Sequence, residues 1–199
     1  MADIKVFNRW STEGIVVKDP GLVSYISLDN KIVPKTGARY AGKRFHKSKI
    51  FIVERLINKV MGPGHKSGKH FKTSGSMTGK AGTAANIIKN VFIKIEQQTK
   101  QNPIKVLIDA IENGAPREEI VTIEYGVARY PKAVECGPQR RIDLVLRYMT
   151  QGAFHRSFNS KKSIVDTLTE EILAAASKNQ FSNAISKKLE IERQADASR

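Results

Sequence analysis

From residue 49 almost to the C-terminus, apolar side chains recur at intervals of three and four, a spacing that gathers them on one face of a helix. In KIFIVERLINKVM, residues 49–61, that face holds Ile50, Val53, Ile57 and Val60. A second helical pattern starts from Thr83, read as its N-cap, and carries Ala84, Ile87, Ile88, Val91, Phe92 and Ile95. A third opens at Asn102-Pro103, encloses Ile104, Leu107, Ile108 and Ile111, and closes at Asn113-Gly114, the glycine being read as a C-cap. Ile142, Val145, Leu146 and Met149 mark a fourth, beginning near Pro138. Ile164, Leu168, Ile172 and Ala175 mark a fifth over 163–178, and Ile185 and Leu189 a sixth over about 183–195.

The period is broken once. IVTIEY and KAVEC flank the Gly126 to Pro131 region and are rich in β-branched residues, which predicts two short strands of a hairpin at about 120–136. A lone ribbon is marginal in water, so it must lean on helices or project towards a partner. Residues 1–34 alternate short apolar runs with Asp-Pro-Gly and Asp-Asn turns, which suggests an irregular arm rather than a core element. The predicted fold is therefore mainly α: a bundle of about six helices in a domain of residues 35–199, with a protruding hairpin and an irregular N-terminal arm.

Charge then narrows the function. The net charge is +15, and the excess is concentrated: residues 35–80 hold twelve basic side chains against one acidic, and residues 120–162 hold eight against three. The other segments are close to neutral. Two concentrated basic blocks look like a footprint for phosphates, where a solubility device would be interspersed. In ARYAGKRFHKSK, residues 38–49, Tyr40 and Phe45 stand among cations; their rings either stack on RNA bases or anchor the arm to the core. The Gly-, Ser- and Lys-rich stretch 64–82 has a composition that cannot pack alone and suits ordering on a phosphate surface. The RNA-binding candidates of the two blocks are Lys35, Arg39, Lys43, Arg44, Lys47, Lys49, Lys66, Lys69, Lys72, Lys80, Arg129, Lys132, Arg140, Arg141, Arg156, Lys161 and Lys162.

Arg140 and Arg141 pose a specific problem. They fall in the opening turn of the fourth helix, where the macrodipole is positive and carboxylates are the stabilising choice. An RNA phosphate at the helix start would turn the mismatch into an advantage, since free N–H groups, the dipole and two guanidinium forks would act on one anion.

Catalytic readings fail on spacing. GSMTGKAG, residues 75–82, is one residue short of a phosphate loop, and Ala81 stands where a magnesium-binding hydroxyl is required. His46, His65 and His70 have no Cys pair or acidic ligand at a metal-site spacing. Cys136, the one cysteine, has no general base beside it and reads as structural. No enzyme, cofactor or metal is expected. With no possible intramolecular disulfide, no apolar signal-like start and no run of membrane-spanning length, a cytosolic or nuclear location is expected.

NPIKVLIDAIENGAPREE, the hairpin, AVECGPQRRIDLVLRYM and the two closing helices together resemble the universal small-subunit ribosomal protein seven family, in its eukaryotic and archaeal branch. The likeness covers roughly residues 35–199, and FNRWSTEGI resembles the arm of eukaryotic members. The resemblance implies a helical bundle with a hairpin that binds the 3′ major domain of small-subunit ribosomal RNA and organises the head of the subunit. It further implies nearness to exit-site transfer RNA, the outgoing messenger and neighbouring head proteins, no membrane partner, and a cytoplasmic ribosomal location with nucleolar assembly in a eukaryote. Carried over residue by residue, it places the family's basic segment on Lys43, Arg44, Lys47 and Lys49, its paired arginines on Arg140 and Arg141, and its hairpin tip near Arg129 and Lys132. The C-terminal arginine that approaches the messenger channel falls on Arg199. The 62–82 loop is longer than the family's link, and the tip EYGVARYPK is less basic. The competing class is an architectural DNA-binding or nucleic-acid chaperone protein, which would share the charge pattern.

Overall fold

The computed structural model describes residues 4–37, 39, 41–66, 69–70 and 76–199. Among them, a single-turn helix α1 (Pro20–Val23) precedes six longer ones: α2 (Ile52–Val60), α3 (Ala81–Thr99), α4 (Pro103–Gly114), α5 (Pro138–Ser157), α6 (Ile164–Ala176) and α7 (Asn183–Ala197). A 3₁₀ turn at His46–Lys49 leads into α2, a small ribbon β1 (His65–Lys66) and β2 (Lys69–His70) follows it, and the long hairpin β3 (Glu118–Tyr125) and β4 (Ala128–Glu135) separates α4 from α5. The chain is mainly α with a β-hairpin, as its periodicity predicts.

Local chemistry explains most of the boundaries. Asn102 Oδ1 accepts from the Ile104 N–H at 3.0 Å, and Pro103 supplies the first helical residue of α4. Ser163 Oγ accepts from the Asp166 N–H at the start of α6, and Ser182 Oγ from the Ala184 N–H at the start of α7. Two expectations need correction. Helix α3 begins at Ala81, two residues before Thr83, and has no side-chain cap at Lys80. Gly114 ends α4 without a left-handed turn, because Ala115 caps the helix in an extended conformation.

Helix α6 packs against α3, α4, α5 and α7. Around it Phe92, Ile88, Leu107, Ile111, Ile142, Leu168 and Ile172 are fully buried. The arm is irregular apart from α1, yet Val6, Trp10, Leu22 and Ile26 are core residues. Trp10 meets Phe92 edge to face, with centroids 5.6 Å apart, and Asn102 Nδ2 donates to Ser11 O at 2.7 Å. Its apolar side chains sit between turns, so no helical or strand period announced their burial.

In the hairpin, Tyr125 pairs with Ala128 across a two-residue turn in which Gly126 has φ +60°. Glycine at the first turn position with positive φ matches the right-handed twist of the strands. The strand β4 thus includes Arg129, Tyr130 and Pro131, which the sequence reading assigned to the loop. Helix α7 leans on β3 near the base, where Ile120 and Ile123 are half-buried.

Candidate nucleic-acid interface

Helix α5 starts as expected at Pro138, and the structure divides its two arginines. Arg141 is 8% exposed; its Nε donates to Pro116 O at 3.0 Å and a terminal nitrogen donates to Asp19 Oδ2 at 2.8 Å. Asp19 also accepts from the Gly21 N–H at 2.9 Å and so caps α1. Burial pushes the Asp19 carboxyl up, but the hydrogen bonds from Arg141 and Gly21 outweigh it and hold the group below its ordinary range. Arg140 is exposed, with Nε 2.7 Å from Glu119 Oε2. Two carboxylates from distant segments therefore offset the dipole mismatch, and a single phosphate shared by both arginines is not the arrangement found. Arg141 fastens the arm to the bundle, and Arg140 alone faces outward.

Other candidates are also held internally. Arg156 pairs with the fully buried Glu171 at 2.9 Å, donates to Phe181 O, and lies over the Phe181 ring at 4.1 Å from its centroid. Lys162 pairs with Glu170, Arg129 with Glu124 across the hairpin, and Arg199 with Glu118 and Asp196. Ion pairs this exposed are worth about 0–1 kcal/mol, so a phosphate can replace the carboxylate at little cost. Arg156 differs, because releasing it leaves Glu171 buried without its charge partner.

What remains outward is concentrated before α2. Lys35, Arg39, Lys43, Arg44 and Lys49 are exposed, and among the described residues no carboxylate lies within ion-pair distance of them. Arg44 lies over the exposed Phe45 ring at 4.8 Å, so Phe45 does not anchor the arm. The segment is pinned at two points. Buried Glu54 Oε1 accepts from the Thr36 N–H at 2.8 Å, and Lys47 Nζ lies 2.5 Å from Asp143 Oδ2. Between these pins the cations stand free. Lys80, Lys132 and Lys161 are likewise exposed without a carboxylate partner among the described residues. Lys66 and Lys69 face each other in the β1–β2 ribbon register, with no side-chain placement described; Lys72 and Tyr40 lie outside the described residues.

The structure joins Lys47, an expected candidate, to three residues that the sequence reading missed. Lys47, Arg55, Asn58 and Lys59 line a crevice of about 140 Å³. Arg55 is buried on α2, donates to Tyr25 O at 3.1 Å and pairs with Asp143 Oδ1 at 3.2 Å. Burial pushes the Asp143 carboxyl up, yet Lys47 and Arg55 outweigh this and hold it down. Burial lowers the Lys59 amine, Asp143 raises it, and Lys47, Arg147 and Arg55 add to the lowering. Arg55 with Lys59, and Asp143 with Arg147, stand four residues apart on their helices, so each pair shares a helical face. That spacing was the available signal.

Cys136 is buried between β4 and α5, where burial first and Glu119 next push its thiol up to about 11. It is an unreactive structural residue.

Comparison with known proteins shows the family. Residues 22–199 match the family model described as ribosomal protein S7p/S5e. The small ribosomal subunit protein uS7 of Nanoarchaeum equitans is 51% identical over 196 residues, covering 98% of this chain and 99% of the relative. Its counterpart in Archaeoglobus fulgidus is 45% identical over 197 residues, covering 99% and 96%.

Proposed function

The chain belongs to the ribosomal protein S7p/S5e family, and from that membership we infer how it works as a structural, non-enzymatic constituent of the small ribosomal subunit: it binds ribosomal RNA through the cations left free around residues 35–49. The observation that carries this reading is the pinned segment between Thr36 and Lys47, whose Arg39, Lys43 and Arg44 have no intramolecular carboxylate among the described residues. Cations held in place but unneutralised are suited to a polyanion, because each phosphate contact releases counterions without first breaking an ion pair.

The ligand is the 3′ major domain of small-subunit ribosomal RNA, with Lys35, Lys49, Lys80, Lys161 and Arg140 extending the contact. The hairpin serves a second partner, exit-site transfer RNA or messenger. Its exposed Tyr125 and Tyr130 offer rings for stacking, and Lys132 a free cation. Arg199 reaches the messenger only by releasing Glu118.

The test is the affinity of the purified chain for a 3′ major domain fragment, against transfer RNA and duplex DNA competitors, across a salt series. Binding that survives the competitors at physiological salt supports a specific ribosomal RNA ligand. Equal affinities that vanish together as salt rises would overturn it in favour of an architectural nucleic-acid binder.

A further inference from the structure

We propose that the crevice formed by α2 and the 3₁₀ turn, beside Asp143 of α5, is a preformed seat for one phosphodiester group of the RNA backbone, with Lys59 as its binding side chain and Asp143 as the positioning residue that holds Lys47 and Arg55 around it. The inference rests on the RNA-binding reading above and specifies one of its contacts.

Three observations carry it. The first is composition: Lys47, Arg55 and Lys59 line the crevice and the one carboxylate paired with them is Asp143, which leaves the group two charges positive. The second is hydrogen bonding. Arg55 Nε is a buried donor without an acceptor, and no acceptor within hydrogen-bond distance is found for the half-buried Lys59 amine among the described residues. Buried donors are nearly always satisfied in folded proteins, so a crevice rich in donors and poor in acceptors is suited to an anion. The third is preorganisation. Asp143 accepts from Lys47 through one oxygen and from Arg55 through the other, and Tyr25 O fixes Arg55 from the opposite side. The cations are thus placed before any ligand arrives, which lowers the ordering cost of binding.

Lys59 is the decisive residue: it lines the crevice, and in the free chain burial, with Lys47, Arg147 and Arg55, disfavours its charge against the opposing pull of Asp143. Replacing it with an apolar side chain of similar length should relieve the folded protein and impair the complex. The experiment is Lys59→Met in the full chain, melted alone and then titrated with the 3′ major domain fragment across a potassium chloride series. The expected result is a melting midpoint at or above wild type, affinity reduced several-fold, and a salt slope shallower by about 0.7–0.9, the equivalent of one phosphate. Lys105→Met, which removes an exposed charge on α4 outside the proposed contact, measures the effect of net charge alone. A clear drop in the melting midpoint of Lys59→Met, or fragment affinity and slope that match Lys105→Met, overturns the proposal. Stabilisation of the wild type by inorganic phosphate at constant ionic strength, with unchanged fragment affinity in Lys59→Met, would assign the crevice to the free ion and also overturn it.

Asp143→Asn gives the opposite sign to a net-charge account. It makes the chain more basic, so unpositioned electrostatics predicts tighter binding, whereas loss of positioning predicts weaker binding. Should that variant fail to fold, Lys59→Met decides alone. If the wild type itself does not prefer the fragment over duplex DNA, it is the broader RNA reading that fails, and this shows before any variant is made.

Discussion

Arg141 and Arg140 are adjacent in sequence and opposite in role. From sequence, the mismatch between two cations and a helix start was legible, but the group that resolves it for Arg141 was not, because Asp19 lies 122 residues away. Removing Arg141 leaves Asp19 part-buried without its partner and Pro116 O without its donor. Arg141→Ala is therefore expected to cost about 2–3 kcal/mol, somewhat below the loss of a fully buried pair because Asp19 keeps some solvent. Arg140→Ala breaks an exposed pair and should stay within about 1 kcal/mol of wild type. Urea unfolding of the two single variants checks this, and equal midpoints would mean that Arg141 does not fasten the arm. The same contrast separates fold from binding: Arg140→Ala should weaken RNA binding at little cost in stability.

At the scale of elements, the sequence was most informative where capping chemistry and hydrophobic period agree, as at Asn102-Pro103 and Ser163. It was least informative where a helix starts without a side-chain cap, as at the start of α3, or where a turn is tighter than its residues suggest. The hairpin shows the second case. Gly126 and Val127 alone form the turn, and Gly126 has φ +60°. Gly126→Val places a β-branched residue in that conformation, at a local cost of about 1–2 kcal/mol. The strand pairs near the tip are exposed, while α7 supports the base through β3. The expected outcome is faster amide exchange over residues 121–132, with the global melting midpoint nearly unchanged. A large fall in the midpoint would show that the tip belongs to the cooperative core. RNA binding through residues 35–49 should persist in this variant, whereas contact by the hairpin with a second partner should weaken.

For the whole molecule, carboxylates decide which cations remain outward and which hold the fold. The net charge of +15 was legible from composition, but its division was not, because it depends on pairs such as Asp143 with Lys47 and Arg55 that only the fold creates. Asp19 ties the arm to Arg141 of α5, and Asp143 of α5 ties Lys47 of the basic segment and Arg55 of α2. Both carboxyls are held below the ordinary value of 3.8 in the folded chain, so the unfolded chain binds protons more readily than the folded one. The stability they contribute is complete above that value and is lost as pH falls through their lowered folded values. Glu171, raised by burial against the opposing pull of Ser182 and Arg156, acts in the other sense and favours the α5–α6–α7 junction as acid is added. Acid should therefore loosen the arm before the bundle. The single tryptophan, Trp10, lies in the arm, packed against Phe92 of α3, and its emission reports detachment of the arm. On titration downward from neutral pH, its emission is expected to shift to the red before the far-ultraviolet helical signal falls, and Asp19→Asn should move the first transition and not the second. Coincident transitions in the wild type would instead make arm and bundle one cooperative unit, in which Trp10→Ala should cost about 3–5 kcal/mol globally, as large-to-small core substitutions do.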